Sequence, residues 1–168
     1  IKKYELPLDL YKKANQRLKY WYYETTYCNL YKLYQAIRTE VPEGKYRDAF
    51  ECVFSSILKA SSKWLTKSIK PQVDPEKREI DVMQQFDRQM NKFLRALTEI
   101  EVPDTQTMIK CINFLEEREL PKTDLIITSP PYVTSYEYAD LHQLSSLWLG
   151  YTTDYRELRK GSIGSVYN

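Results

Sequence analysis

At 168 residues the chain has the length of one ordinary domain, into which a two-domain enzyme with a separate cofactor fold does not fit comfortably. Its 25 Lys and Arg against 23 Asp and Glu leave a net charge of +2, so polyanion binding does not follow from composition. A hydrophobic share of 42% and fifteen tyrosines exclude a low-complexity disordered chain.

Local sequence narrows the classes further. The four glycines, Gly44, Gly150, Gly161 and Gly164, never form a G-x-G, so no dinucleotide-type glycine loop lies in this chain. Cys28, Cys52 and Cys111 are odd in number without a C-x-x-C, and His142 is the lone histidine. Both facts argue against a metal site and against a disulfide framework. A reducing, cytoplasmic setting is expected. No apolar run reaches the roughly eighteen residues of a membrane span, and no signal-peptide stretch follows the Lys-rich start. The chain opens on Ile1 and its first methionine is Met83, so a piece of a longer protein is expected.

From about Asp9 to Thr39 there is no Pro or Gly, and Leu18, Trp21, Tyr22, Thr25, Leu30, Leu33 and Ile37 fall at mostly helical steps. The pattern predicts one long helix, or two with a break. After Pro42 and Gly44 a second helix is predicted from Phe50, Val53, Phe54, Ile57, Leu58, Ser61, Trp64 and Leu65. Residues 70–78, with Pro71 and Pro75, read as an extended, solvated connector. Met83, Phe86, Met90, Phe93, Leu97 and Ile100 then make a third helix with coiled-coil-like spacing, for burial against neighbouring helices or for dimerisation. Beyond Pro103, Thr105 to Cys111 reads as a weak strand and Asn113 to Glu119 as a charged helix. Asp124 to Thr128 is a β-branched apolar run that predicts a buried strand, closed by Ser129-Pro130-Pro131-Tyr132. Glu137 to Leu149 returns to helix with Tyr138, Leu141, Ser145 and Trp148 on one side and Gly150 placed to cap it. A polar, loop-like tail follows. The expected fold class is mainly α with a small α/β part, divided as a helical region 1–103 and a segment 104–168 whose sheet needs strands from elsewhere.

The strand-to-loop corner carries the chemistry. In open α/β sheets reactive groups gather at the carboxyl ends of strands. Consecutive prolines fix φ and remove two donors, so the carbonyls of Ser129 and Pro130 are held as acceptors with little freedom. Such acceptors suit the N–H groups of an exocyclic amine, and Tyr132 supplies a flat face for an extruded base. Hydrogen bonds accepted from the amine favour its pyramidal form and raise its nucleophilicity in the transition state. A plain turn between a strand and a helix is the bland alternative.

On these residues the chain resembles the S-adenosylmethionine-dependent amino-methyltransferases, whose catalytic loop reads D/N/S-P-P-Y or F after a strand. Ser129 in first place resembles the members acting on cytosine N4 in DNA. The run from Ser129 through Leu144, the following W-L-G, and D-Y-R-E-L-R-K-G-S-I-G-S are similar to a group of predicted prokaryotic DNA methylases. The earlier A-F-E-C-V-F-S-S-I-L-K-A-S is similar to their helical insertion. The resemblance implies a helical insertion domain followed by an incomplete Rossmann-like methyltransferase segment. It also implies S-adenosylmethionine as cofactor, and as partners DNA and the remainder of the methyltransferase chain. Ser129, Pro130, Pro131 and Tyr132 would be the catalytic residues, in a restriction–modification setting. In that group the glycine-rich cofactor loop precedes the insertion, and this chain contains no F-x-G-x-G. No acidic residue of the preceding strand is evident around Cys111-Ile112-Asn113.

Other features have two readings each. Lys59, Lys63, Lys67 and Lys70 are spaced to lie on one helix flank, for contact with DNA phosphates or as a solvated face. Tyr136 and Tyr138 could shape a base pocket, although Tyr138 lies on the core stripe. Asp140 and His142 could touch substrate, with no base role for His142. The G-S-I-G-S at 161–165 is a flexible loop or a weak phosphate cradle. The competing function class is a non-catalytic helical module that binds nucleic acid or a partner, and among enzymes an adenine, RNA or protein-amide methyltransferase.

Overall fold

The computed structural model describes residues 4–101, 106–110, 112, 116, 122–129 and 137–160. Regular structure among them is helical: α1 (Leu10–Lys13), α2 (Gln16–Trp21), α3 (Glu24–Glu40), α4 (Lys45–Ser61), α5 (Val82–Glu99), α6 (Tyr138–Leu141), α7 (Gln143–Trp148) and a 3₁₀ turn, Tyr155–Arg159. Trp64 and Val73 form an isolated antiparallel bridge. The expectation of a mainly α chain holds. No sheet stands among the described residues, so the α/β part is not seen there.

The stretch predicted as one long helix, or two with a break, is three pieces, for identifiable reasons. The Asn15 side chain accepts from the Arg17 amide and starts α2 anew. At the other end Tyr22 turns extended, which buries its ring completely and lets its hydroxyl donate to the Leu58 carbonyl in α4. The Tyr11 hydroxyl reaches back over the end of α2 and donates to the Tyr22 carbonyl, satisfying an acceptor the helix leaves open. Within α3 the buried residues are Thr26, Tyr27, Leu30, Leu33 and Ile37, and Thr25 is exposed.

Gly44, at φ +113° before α4, is in a conformation that a side chain would strain. Helix α4 buries Val53, Phe54, Ile57, Leu58 and Ser61, and there it stops, short of the predicted Trp64 and Leu65. Ser62 ends it: its hydroxyl donates to Lys59 and accepts from the Trp64 amide, while the Lys63 amide donates to Trp21 in α2. This turn drops the Trp64 indole onto that of Trp21, stacked with centroids 5.0 Å apart. Asp81 caps α5 through the amides of Met83 and Gln84. The first half of α5 packs through Val82 and Phe86, the latter ring 6.2 Å from Phe50, while Leu94, Leu97 and Ile100 on its last turns stay exposed. The seam therefore has its core half at Met83–Phe93 only.

The helix predicted over 137–149 is broken at His142, and its inner face is rotated from the expectation. Tyr138, placed on the core stripe, is 39% exposed, while Gln143, Leu144, Ser146 and Trp148 are buried. Gly150, at φ +76°, ends α7 as expected: the Tyr151 amide reaches back to the Ser146 carbonyl. Trp148 enters the helical core, 5.0 Å from the Tyr27 ring and 5.7 Å from Phe54. Gln143, wholly buried, holds the chain's two ends together. Its Oε1 accepts from Trp21 Nε1 at 2.8 Å and from Arg17 Nε at 2.6 Å, and its Nε2 donates to the Asp140 carbonyl.

Two strand expectations are corrected. Residues 106–110 and 124–128 form no strand, and Leu125, Ile126 and Ile127 are 73%, 77% and 88% exposed rather than buried. A lone apolar run has no ladder to join, and no described segment offers one. The helix expected at Asn113 to Glu119 lies outside the described residues, apart from Glu116, which is in a turn.

Gln143→Leu is expected to lower the unfolding free energy by about 2–4 kcal/mol in urea titrations, because two N–H donors lose their acceptor. An unchanged midpoint would refute the role given to the amide. Burial also raises the phenol pKa values of Tyr11, Tyr22, Tyr27 and Tyr34. Their contribution is complete below the unfolded value near 10 and is lost as pH rises toward the folded values, because the unfolded chain ionises first. Spectrophotometric titration is expected to show a delayed fraction of tyrosines that ionises together with loss of the near-UV signal.

Candidate nucleic-acid interface and catalytic loop

Ser129 is exposed, at the end of the exposed run Leu125–Ile127. Pro130, Pro131, Tyr132 and Tyr136 lie outside the described residues, as do the glycines of G-S-I-G-S. Asp140, offered as a substrate contact, is occupied by a bidentate pairing from Arg159, Nη2 to Oδ1 at 2.7 Å and Nε at 3.1 Å. His142 is exposed.

The four lysines do not share a helix flank. Only Lys59 lies in α4; Lys63, Lys67 and Lys70 follow the Ser62 turn. Their environments differ accordingly. Lys59 donates to the Ser68 carbonyl at 2.9 Å and stands 5.4 Å from the Trp64 ring, closing the loop onto its own helix. Lys67 and Lys70 are exposed. Lys63 Nζ sits between two tyrosines, 5.4 Å from the Tyr23 ring and 5.9 Å from Tyr20. Lys77 is also spent internally, its ammonium donating to Trp64 at 2.6 Å, and burial lowers its pKa.

Lys63 is one member of a larger array. Arg17 lies 4.9 Å from the Tyr20 ring and 5.2 Å from Tyr155, and Arg159 lies 5.6 Å from the other tyrosine of that pair, Tyr155. Cations and rings thus alternate as Tyr23, Lys63, Tyr20, Arg17, Tyr155 and Arg159. Asp140 neutralises Arg159, whereas Arg17 and Lys63 have no carboxylate partner among the described residues. Beside Arg17 opens a cleft of about 450 Å³, with Asn15, Tyr20, Thr153, Tyr155 and Arg156 in its wall. That volume is in the range of small-ligand sites. Arg156 in this wall is itself clamped by Asp154, Nη2 to Oδ2 at 2.7 Å, which leaves Arg17 as the cleft's uncompensated cation.

Sequence reasoning found Lys63 and missed Arg17, Tyr20, Tyr23 and Tyr155. Arg17 and Tyr20 are three apart on α2, a readable pair. Tyr155 joins them from 138 positions after Arg17 only because Gln143 and Trp148 bring the last helices onto α2.

The described residues contain no group of three or more His, Cys, Asp or Glu able to hold a metal ion, and no helix long and apolar enough to cross a membrane. Searches of family models, curated proteins and solved structures give no match to this chain.

Lys59→Ala is expected to cost about 0.5–1.5 kcal/mol through its lost Ser68 contact. Lys67→Gln combined with Lys70→Gln should stay within about 0.5 kcal/mol of the parent. Thermal denaturation of the two variants side by side checks the assignment, and equal shifts would contradict it.

Proposed function

We propose that this chain is part of a DNA methyltransferase that moves a methyl group from S-adenosylmethionine to an exocyclic amine of a flipped base, with cytosine N4 as the acceptor. The observation that carries this proposal is the D-L-I-I-T-S-P-P-Y corner together with the similar run that follows it. The exposed side chains of Leu125, Ile126 and Ile127 support it, since a strand of a larger sheet would keep such a face for neighbours supplied from elsewhere. Exposure of Ser129 supports it too, because an acceptor carbonyl must be open to an incoming amine.

The described residues do not make a seat for the cofactor. Gly44 and Gly150, the described glycines, both stand at helix ends, and the chain holds no G-x-G. On the resemblance, the donor's site belongs to the remainder of the methyltransferase chain, and the group would supply the electrophilic methyl there. This chain's own contribution is to the acceptor. The carbonyls of Ser129 and Pro130 take the amine's hydrogens and orient its lone pair, Pro131 stiffens the corner, and Tyr132 carries the base on its ring. No strong base is needed, because the amine loses its proton readily after methylation. Lys63, Lys67 and Lys70 contribute charge toward the phosphate backbone.

Nucleoside mass spectrometry, after the full-length gene product has acted on unmethylated DNA with S-adenosylmethionine, is expected to show N4-methylcytosine. N6-methyladenine would move the acceptor to adenine. No methylated nucleoside and no calorimetric binding of S-adenosylmethionine would leave a non-catalytic helical module. Tyr132→Ala is expected to remove roughly 1–3 kcal/mol of base stacking and to lower turnover while cofactor affinity stays unchanged.

A further inference from the structure

We propose that the ladder around Arg17 and Lys63 is a seat for an unpaired DNA strand, with phosphates on the two cations and bases against the exposed rings of Tyr20 and Tyr23. The ligand class rests on the DNA reading above. An enzyme that modifies a base amine either flips the base out of the duplex or takes it from a strand already unpaired, and in both cases meets nucleotides whose faces are free to stack.

Three observations on the molecule support this. The first is charge without compensation. Arg156 and Arg159 are each neutralised by an aspartate, while Arg17 and Lys63 have none among the described residues. The second is pre-organisation. Arg17 Nε is fixed at 2.6 Å to the Oε1 of a fully buried amide, and its guanidinium stands 4.9 Å from the Tyr20 ring, 5.3 Å from Trp21 and 5.2 Å from Tyr155. That leaves its two terminal nitrogens without a hydrogen-bond partner among the described residues. A planar guanidinium held this way presents a fork that matches a phosphate. The third is the exposure of the aromatic groups. Tyr20 is 51% and Tyr23 37% exposed, and each is held in place from one side, Tyr20 edge-on to the Trp21 ring at 5.0 Å and Tyr23 through its hydroxyl to the Lys77 carbonyl. Cations alternating with exposed rings serve a single strand, whose bases have accessible faces, better than a duplex, whose bases are already stacked.

The test is fluorescence anisotropy of this chain with labelled oligothymidine, with a duplex of equal length and with an oligouridine, over a range of salt. The parent is expected to bind oligothymidine more tightly than duplex. Tyr20→Ala should weaken that binding ~5-fold or more. Lys63→Gln should reduce the salt slope by about 0.7. Tyr20 is exposed and Lys63 half-buried with no side-chain hydrogen bond among the described residues, so circular dichroism is expected to show an unchanged fold, and Arg17→Lys keeps the charge while removing the fork should the bulkier loss in Arg17→Gln unfold α2. Tighter binding of duplex or of oligouridine than of oligothymidine overturns the proposal, as does an unaltered affinity and slope in Tyr20→Ala and Lys63→Gln. Its failure is separable from that of methyl transfer: the former shows in anisotropy alone, the latter in the nucleoside mass spectrum.

Discussion

A single buried amide organises this molecule. Gln143 is wholly enclosed and makes three hydrogen bonds, two from α2 and one to the Asp140 carbonyl, so its burial is matched by partners on every side that faces a polar atom. An amide left unmatched at such a place would cost more than the bonds return, which makes the arrangement all or nothing. Because one of the three partners is Arg17, the same amide that joins α2 to α7 also holds the guanidinium beside the cleft. Stability and the candidate binding surface are coupled through one side chain.

Around that junction the core is built from rings with polar handles. Trp21 and Trp64 stack, and Trp148 meets Tyr22, Tyr27 and Phe54. The hydroxyl of Tyr22 ends on a backbone carbonyl, as does that of Tyr11 at the margin of the core. Ring burial supplies the large apolar area, and each hydroxyl closes an acceptor left open by a helix end or break. The break between α2 and α3 fits this pattern: it places Trp21 and Tyr22 where their polar atoms reach Gln143 and the Leu58 carbonyl.

Much of the helical frame was legible in the residues, and the reasons for the exceptions are physical. Periodicity located α3, α4 and α5, and Gly150 was readable as a cap, because all of these depend on neighbours within a few positions. The early stop of α4 was only half readable: Ser62 makes local bonds to Lys59 and Trp64, but the Lys63 amide meets the Trp21 carbonyl from far along the chain. For the same reason four lysines at helical spacing did not become one flank. The strand expected at 124–128 failed differently: its composition was right for a sheet, but a strand exists only with a partner, and composition cannot supply one. Gln143 itself carried no signal at all, since a polar residue in a helical stretch reads as surface unless its distant partners are known.

The Trp21–Gln143 and Tyr22–Trp148 contacts join positions more than 120 residues apart, and this sets an order of events during synthesis. While the ribosome is still translating the middle of the chain, α2 to α4 can associate, but the Trp21 indole and the face of Tyr22 lack their last neighbours. The nascent protein must carry that aromatic surface until Trp148 clears the exit tunnel and the last helices can close over it.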